Sequence, residues 1–293
     1  MESETPILQP TKVLSSRSVA LYTLIVGGVI IGSRYHPKLQ FIVRAFLSLV
    51  CLLFFSAYGS ILAVIFTILG RRDEINWATA RSYVAVAAPL VGITFKVENE
   101  HYMDNRPVIF VCNHQAAIDM MILGRIFPKS CVVVGKSELK YVPLLGSFMH
   151  LSGAIFLDRA NHGNAVKTFS EAVKDIKKRN VSVWIFPEGT RGHLQEANLL
   201  PFKKGAFHLA VQAQIPIVPV VVSNYSDIYD SKRKIFRGGE LKIKVLPPIP
   251  TAGLDQENRE HIDELTTRTR QIMLDTLKSI TSSPLENGHT KEK

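Results

Sequence analysis

Residues 108–119, Val108-Ile-Phe-Val-Cys-Asn-His-Gln-Ala-Ala-Ile-Asp119, join a short apolar run to a polar cluster and then to a second apolar segment. The apolar run 108–112 predicts a buried strand, and residues 118–127 predict a helix. Polar residues between them follow the strand directly. Because open α/β sheets bind their ligands beyond the carboxyl ends of strands, this junction is the first candidate for a functional site.

Two residues of this junction can form a general base. A histidine titrates near neutral pH, and Asp119 follows His114 closely enough to turn back and accept the proton on its other ring nitrogen. A buried histidine at a strand end, followed by a surface aspartate at a helix start, would produce the same pattern without catalysis. Residues 113–119 alone leave both interpretations open.

Short apolar runs alternate with helical patterns from Gly92 onward, which predicts an α/β domain. Apolar residues also recur at helical spacing from Val166 to Ile176, with lysines on the other face that we interpret as solvated surface. A final packing helix is predicted around residues 262–277. Seven runs are candidate strands: 93–97, 108–112, 131–134, 154–157, 181–186, 217–222 and 241–246.

The chain before this domain predicts attachment to a membrane. Hydrophobic residues make up 46% of the sequence and charged residues 20%, and the hydrophobic excess lies in the N-terminal part. Residues 45–70 are uncharged and long enough to cross a bilayer, which takes roughly 20 residues. Residues 18–33 are also uncharged but shorter. They form either a spanning hairpin with residues 45–70 or a pair that enters one leaflet, and a cleaved signal peptide is an alternative for them.

Composition therefore divides the chain into four expected regions. These are a flexible tail (1–17), membrane-anchoring hydrophobic helices (18–72), the α/β domain (73–281) and a polar tail (282–293). Within the domain, residues 76–90 predict a helix that lies against the membrane or against the rest of the domain.

The net charge of +10 favours anionic partners: nucleic acid, anionic lipid or phosphorylated metabolites. Nucleic acid is the weaker choice, because the sequence lacks zinc-ligand spacing, a basic zipper and an aromatic RNA-binding signature. Cys51, Cys112 and Cys131 lie inside apolar runs without the spacing of a disulfide framework. We interpret them as buried, reduced packing residues, which favours a domain that faces the cytosol.

The hexapeptide Phe186-Pro-Glu-Gly-Thr-Arg191 ends a very apolar strand and turns at a glycine. The turn exposes a carboxylate, a hydroxyl, backbone N–H groups and a guanidinium together. Arginine beside a glycine turn is well suited to hold a phosphate monoester. A simple turn is the alternative for these six residues by themselves.

Three other stretches carry weaker signals. Asp158-Arg159 ends the strand predicted at 154–157, and a surface ion pair worth about 0–1 kcal/mol is the simpler interpretation. Lys203 and Lys204 precede a predicted helix start at Gly205, where anions bind readily, although for these residues alone an ordinary exposed basic loop is the slightly favoured interpretation. The run 215–221 contains two prolines, which fit edge or strand-start positions better than a central strand.

Missing motifs narrow the chemistry. The sequence has no Gly-x-Ser-x-Gly elbow, no Walker A or dinucleotide fingerprint and no set of residues at metal-ligand spacing. What remains is a histidine–carboxylate base, several cations and an apolar anchor. Transfer of an acyl group from a thioester to a phosphorylated, membrane-resident alcohol would use all three and would need no metal.

The stretches 113–119, 153–159, 186–191 and 215–221 resemble, in order and spacing, the four motifs of the glycerolipid acyltransferase family. The likeness is greatest to the lysophosphatidic acid acyltransferases in their fungal form, and it covers roughly residues 50–280. Residues 201–207 are also similar to the segment between the last two motifs. The hydrophobic stretch 18–33 is less typical of the family, so the resemblance does not decide the membrane topology.

The resemblance implies an αβ sandwich around a mixed central sheet, with an N-terminal hydrophobic helical membrane anchor. It implies that His114 removes a proton from the sn-2 hydroxyl of lysophosphatidate, with Asp119 orienting the imidazole. The resulting alkoxide attacks acyl-CoA directly, so that phosphatidate and CoA form without an acyl-enzyme. The residues expected at the acceptor's glycerol phosphate are Arg159, Glu188, Gly189, Thr190 and Arg191, to which the lysine pair adds Lys203.

On this reading acyl-CoA is a co-substrate, and no cofactor, nucleic acid or obligate protein partner is expected. The endoplasmic reticulum membrane is the expected location, with the domain toward the cytosol, and a lipid droplet is an alternative. Another acceptor, such as glycerol 3-phosphate or a different lysophospholipid, is the main competing function. A non-catalytic lipid-binding protein is a more distant one, because the base and the cations are all present.

Overall fold

The computed structural model describes residues 32, 36–157, 172–174 and 176–282. Several expectations concern residues outside these ranges. They are the two tails, nearly all of the stretch 18–33, Asp158 and Arg159, and the first part of the helix 166–176. Residues 172–174 and 176–179, which end that predicted helix, are helical.

The described residues include six α-helices and nine strands, numbered here in chain order. The helices are α1 (Pro37–Ile68), α2 (Ile75–Val91), α3 (Asp119–Ile126), α4 (Leu145–Leu151), α5 (Gly205–Ala213) and α6 (Arg259–Ser282). The strands are β1 (Ile93–Glu98), β2 (Ile109–Cys112), β3 (Cys131–Lys136), β4 (Ile155–Leu157), β5 (Ser182–Ile185), β6 (Ile217–Val222), β7 (Tyr229–Asp230), β8 (Ile235–Phe236) and β9 (Gly239–Val245).

A seven-stranded sheet has the order β1-β9-β6-β2-β5-β3-β4. The strands β6, β2, β5, β3 and β4 pair in parallel, β9 pairs with β6 in the antiparallel sense, and β1 pairs in parallel with β9. The mixed central sheet is therefore confirmed, and all seven predicted strands are present with boundaries shifted by at most two residues. The short antiparallel hairpin β7–β8 was not predicted.

Helices cover both faces of the sheet. In β2 the side chains alternate, so that Phe110 and Cys112 belong to a core shared with α1, α2 and α3. Ile109 and Val111 point to the other core, which contains residues of α5 and α6. The predicted αβ sandwich is confirmed, and the buried, unpaired Cys51, Cys112 and Cys131 are the packing residues that their apolar surroundings predicted.

One expectation about the prolines is wrong. Pro216 immediately precedes β6, as expected, but Pro219 lies inside β6, a central strand between β2 and β9. The strand tolerates it because β9 ends opposite Val220, and the carbonyl of Pro219 accepts a hydrogen bond from Leu246 (2.9 Å) just beyond β9. The proline therefore stands at a break in the antiparallel pairing, which resumes at the bridge between Ile217 and Ile249, so the missing N–H costs the sheet little.

The helix α1 is 32 residues long and is the described helix whose length and apolar composition suit a membrane span. One side packs against α2 and α4 through residues such as Phe55 and Gly59. A Cβ at Gly59 would lie 2.6 Å from the ring of Phe148, so glycine allows this close approach. The opposite side exposes large hydrophobic side chains, among them Phe54 at 64% and Ile68 at 79%. The predicted N-terminal hydrophobic helix is confirmed.

Candidate active site

Three adjacent parallel strands end at the same edge of the sheet, and each is followed by a polar residue of the candidate site. His114 follows β2, Glu188 follows β5 and Tyr225 follows β6. Because β2 lies between the other two strands, the loop after it is flanked by both of the others. This edge is where ligands bind in open α/β sheets.

The histidine and aspartate of the first motif form a dyad. Nδ1 of His114 lies 2.7 Å from Oδ2 of Asp119, the first residue of α3. The same oxygen accepts hydrogen bonds from the backbone N–H groups of Gln115 (2.7 Å) and Ala116 (3.1 Å). Because an ionised carboxylate only accepts hydrogen bonds, it binds His114 through an Nδ1–H donor, and Nε2 is left as the proton acceptor.

Exposure distinguishes the two members of the dyad. The side chain of His114 is 20% exposed, whereas that of Asp119 is 3% exposed. The imidazole also stacks on the ring of Phe186, with centroids 4.2 Å apart and planes at 23°. The aspartate is therefore enclosed as an orienting group, and the imidazole keeps an accessible edge for a substrate.

Tyr225 completes the surroundings of Asp119. Its hydroxyl donates to Oδ1 of Asp119 at 2.5 Å, and its side chain is buried. Burial, together with the negative charge of Asp119, raises the pKa of Tyr225 well above its ordinary value, so the hydroxyl stays protonated and remains a donor. Both carboxylate oxygens of Asp119 are thus held, one by the loop after β2 and one by the loop after β6.

Glu188 connects the turn after β5 to the loop that carries the histidine. Its Oε1 accepts the backbone N–H of His114 (2.8 Å), and its Oε2 accepts the backbone N–H of Leu200 (3.0 Å). The side chain is 4% exposed, and burial raises the pKa of Glu188 despite these two hydrogen bonds. This geometry makes Glu188 a positioning group for His114, while its predicted contact with substrate stays a prediction.

The turn after β5 and the loop after β2 also pair through their backbones. Gly189 adopts a left-handed φ of 70°, and its N–H donates to the carbonyl of Phe186 (3.1 Å), which closes the turn. The N–H of Gly192 then donates to the carbonyl of His114 (2.8 Å). Arg191 precedes Gly192 directly, so the structure brings the turn that carries this guanidinium to the loop of His114.

The remaining predicted site residues divide into two groups. Thr190, Arg191 and Lys203 are exposed, and the N–H of Lys203 donates to the carbonyl of Pro187 (2.7 Å), which brings its loop to the same turn. Arg159 lies outside the described residues. The exposed cations at this edge are available to an anionic ligand, and their roles stay predictions.

Sequence reasoning missed the roles of Tyr225 and Asn113. The side chain of Asn113 exchanges two hydrogen bonds with the backbone of Val222, at 2.8 and 2.9 Å, and so fastens the loop after β2 to the end of β6. The sequence did contain a pattern that could have identified Tyr225, because Ser-Asn-Tyr follows the apolar run of β6 as Asn-His-Gln follows that of β2.

In the part of the chain that the structure describes, no group of three or more His, Cys, Asp or Glu side chains is placed to hold a metal ion.

Comparisons with known proteins identify the family of this chain. A family model described as Acyltransferase matches residues 94–223, which include the dyad, Glu188 and the end of β6. A protein of Saccharomyces cerevisiae is 43% identical over 233 residues, covering 80% of this chain and 76% of the relative. The chain therefore belongs to the acyltransferase family.

Within that family, the relatives identify a narrower group. The Saccharomyces cerevisiae protein is named 1-acyl-sn-glycerol-3-phosphate acyltransferase. The 1-acyl-sn-glycerol-3-phosphate acyltransferase alpha of Homo sapiens is 38% identical over 220 residues, covering 75% of this chain and 76% of the relative. The resemblance to lysophosphatidic acid acyltransferases, including their fungal members, is confirmed.

A solved structure confirms the fold. The crystal structure of PlsC, a 1-acyl-sn-glycerophosphate (LPA) acyltransferase from Thermotoga maritima, covers 87% of this chain and 100% of its own chain with a TM-score of 0.69. At 20% sequence identity, this likeness concerns the architecture alone.

Proposed function

We propose that this protein transfers an acyl chain from acyl-CoA to the sn-2 hydroxyl of 1-acyl-sn-glycerol 3-phosphate, which yields phosphatidic acid and CoA. Membership of the acyltransferase family and the names of the relatives support the reaction and the acceptor. The observation that carries the proposal is the 2.7 Å contact of His114 with the enclosed Asp119, which leaves an exposed imidazole edge.

The proton transfers follow from that contact. Nε2 of His114 takes the proton of the sn-2 hydroxyl, while Asp119 stabilises the imidazolium that forms. The alkoxide attacks the thioester carbon of acyl-CoA, a C–O bond forms, and the C–S bond breaks as the thiolate leaves. The imidazolium then returns a proton to the departing thiolate, so that the enzyme ends in its starting state.

The acceptor's phosphate requires cations at the same edge. Arg191 and Lys203 are exposed there, and an arginine can bind phosphate oxygens through two parallel hydrogen bonds. The hydroxyl of Thr190 supplies a further donor, whereas the N–H of Gly189 already donates to the carbonyl of Phe186 and shapes the turn. Glu188 contributes by holding the backbone of His114, which keeps the loop after β2 beside the turn that carries Arg191.

A membrane location follows from the lipid nature of the acceptor and from the exposed apolar side of α1. We place the protein on the endoplasmic reticulum membrane with the α/β domain toward the cytosol. Three buried, unpaired cysteines agree with a reducing compartment, in which acyl-CoA is also supplied.

The decisive experiment is release of CoA by the purified protein with lysophosphatidate and oleoyl-CoA. General-base catalysis contributes about 10²–10⁴-fold, so His114→Ala should lower kcat by at least about 100-fold with folding intact. The matched control is His101→Ala, because His101 is exposed in the turn before β2, at the opposite edge of the sheet. Near-normal turnover by the His114 variant would rule out the proposal.

The acceptor is tested by a panel of headgroups with one acyl-CoA. Lysophosphatidate should be preferred over glycerol 3-phosphate and over lysophospholipids in which the phosphate is a diester. A preference for one of these others would keep the acyl-transfer chemistry and replace the acceptor.

A further inference from the structure

A small basic hairpin stands beside the apolar helix α1. The strands β7 and β8 pair in the antiparallel sense, and residues 231–234, Ser-Lys-Arg-Lys, connect them. Arg237 follows β8 directly. Lys232, Lys234 and Arg237 are all exposed, and we call these three side chains the basic tip.

The hairpin is held rigidly by an acidic residue at its base. The buried carboxylate of Asp230 accepts hydrogen bonds from the N–H of Lys232 (2.8 Å), from the N–H and Nε of Arg233 (3.0 and 2.8 Å) and from Gln195 (2.7 Å). Burial alone would raise the pKa of Asp230, but these hydrogen bonds hold it well below its ordinary value. Asp230 therefore stays ionised and neutralises Arg233.

The three cations of the basic tip outnumber the acidic charge that Arg233 leaves unmatched. Arg233 pairs with Asp230, and its Nη2 also lies 3.6 Å from Oδ1 of the exposed Asp227. Among the residues that the structure describes, neither Lys232, Lys234 nor Arg237 forms a salt bridge. The hairpin therefore presents a net positive surface toward solvent.

The position of the hairpin relative to α1 is set by direct contacts. Nη1 of Arg44 donates to the carbonyl of Phe236 (3.2 Å), and Nζ of Lys234 lies 5.3 Å from the ring centroid of Phe41. The neighbouring α1 side chains Ile42 and Phe46 are 61% and 63% exposed. The cations therefore border the apolar side of α1 near its N-terminal end.

We propose that the basic tip binds the anionic surface of a lipid bilayer while the exposed side of α1 contacts its hydrocarbon. Stable membrane binding takes two signals, and an apolar face bordered by cations supplies both. Each lysine or arginine near an anionic leaflet strengthens binding about fivefold, so three cations strengthen it about 100-fold. The inference concerns where the protein meets the membrane and does not depend on the acyl-transfer chemistry.

The test separates the electrostatic contribution from the apolar one. Full-length protein in detergent is diluted into a mixture of two vesicle populations, one of phosphatidylcholine alone and one containing phosphatidylserine. The measured quantity is the ratio of protein bound to the phosphatidylserine vesicles to protein bound to the phosphatidylcholine vesicles. Because the two kinds of vesicle have the same hydrocarbon core, the contribution of α1 cancels in this ratio. Lys232→Gln/Lys234→Gln/Arg237→Gln should lower that ratio by about 100-fold, and added salt should weaken the preference of the unaltered protein.

The matched control removes the same charge from the opposite side of the sheet. Lys174, Lys177 and Lys178 are exposed on the helix whose buried residues join the other core. Their triple change to Gln should leave the ratio unchanged. An equal fall in both variants, or no fall in the tip variant, would overturn the proposal.

Two further arms complete the experiment. With phosphatidate in place of phosphatidylserine at equal surface charge, the tip variant should show the same fall in the ratio relative to the unaltered protein, since the tip responds to charge. A fall confined to phosphatidate vesicles would overturn this in favour of a site for a single phosphate monoester. Acyl transfer to detergent-dispersed lysophosphatidate should be unchanged in the tip variant. Absence of transfer in both proteins would refute the proposed function and leave the vesicle ratio to decide the role of the tip.

Discussion

Removal of the Tyr225 hydroxyl perturbs the candidate site without touching the reacting groups. Tyr225→Phe deletes one oxygen, and Oδ1 of Asp119 loses the donor that stands 2.5 Å away. A hydrogen bond to a charged group is worth about 1.5–3 kcal/mol, so we expect the free energy of unfolding to fall by about that amount. If half of that energy serves to orient the imidazole in the transition state, kcat falls about 4- to 13-fold.

The same variant changes the response to pH. Without the hydroxyl, the negative charge of Asp119 acts more fully on the imidazole and favours its protonated form. The acid limb of the profile of kcat/KM against pH should therefore move to higher pH, because more alkaline conditions are needed to free Nε2. A purely structural tyrosine would lower stability without moving this limb.

The assay is CoA release across pH, with chemical unfolding measured in parallel. Tyr83→Phe is the matched control, since Tyr83 is also buried but packs against Phe55 of α1. Its pH profile should superimpose on that of the unaltered protein. A folded Tyr225 variant with unchanged kcat and an unmoved acid limb would refute the positioning role.

Three other changes test the surroundings of the dyad. Arg191→Ala should raise KM for lysophosphatidate by about tenfold or more and leave KM for acyl-CoA unchanged, because it deletes a charged bidentate partner; a change confined to acyl-CoA would contradict the phosphate role. Glu188→Gln should lower the free energy of unfolding by about 1–3 kcal/mol, because the amide nitrogen cannot accept a hydrogen bond from a backbone N–H. Glu196→Gln is the control, since the exposed Glu196 should tolerate the same change without loss of stability. Burial raises the pKa of Glu188, so the folded protein binds a proton on this carboxyl more tightly than the unfolded chain does. The free energy of unfolding therefore falls as pH rises from the ordinary glutamate pKa through the raised one. Unfolding measured against pH should lose this dependence in Glu188→Gln. Gly124→Ala should lower the free energy of unfolding by about 1–3 kcal/mol, because the new Cβ would lie 2.6 Å from Cβ of Val84 where α3 crosses α2. An unchanged midpoint of thermal unfolding would show that the two helices can separate enough to admit a methyl group.

Local features of the chain were predictable because short-range geometry produces them. Asp119 begins the helix directly after the loop that carries His114, so the dyad needs only a single turn of chain to close. Strands β2 and β6 are fully buried, and continuous apolar runs reveal such strands. The hairpin β7–β8 escaped prediction because strands of two residues show no alternation of apolar and polar side chains.

Long-range features were not predictable in the same way. Pro219 looked unsuitable for a central strand, and only the end of the β9 ladder beside it explains its position. The sequence predicted that the turn after β5 exposes the carboxylate of Glu188, and this is wrong, because the carboxylate is buried and accepts two backbone N–H groups from distant loops. Its contact with substrate stays a prediction.

By itself the sequence determined the α/β class, the apolar N-terminal helix and the short chain separation that lets His114 reach Asp119, since each depends on residues close together in the chain. Only the tertiary structure decided that β6 and β5 flank β2, and so which side chains enclose the dyad. Strand order arises from pairing between segments far apart in sequence, and the tyrosine that holds Asp119 is separated from it by 106 residues. No local pattern of residues encodes such a contact, because it forms only when the whole sheet has assembled.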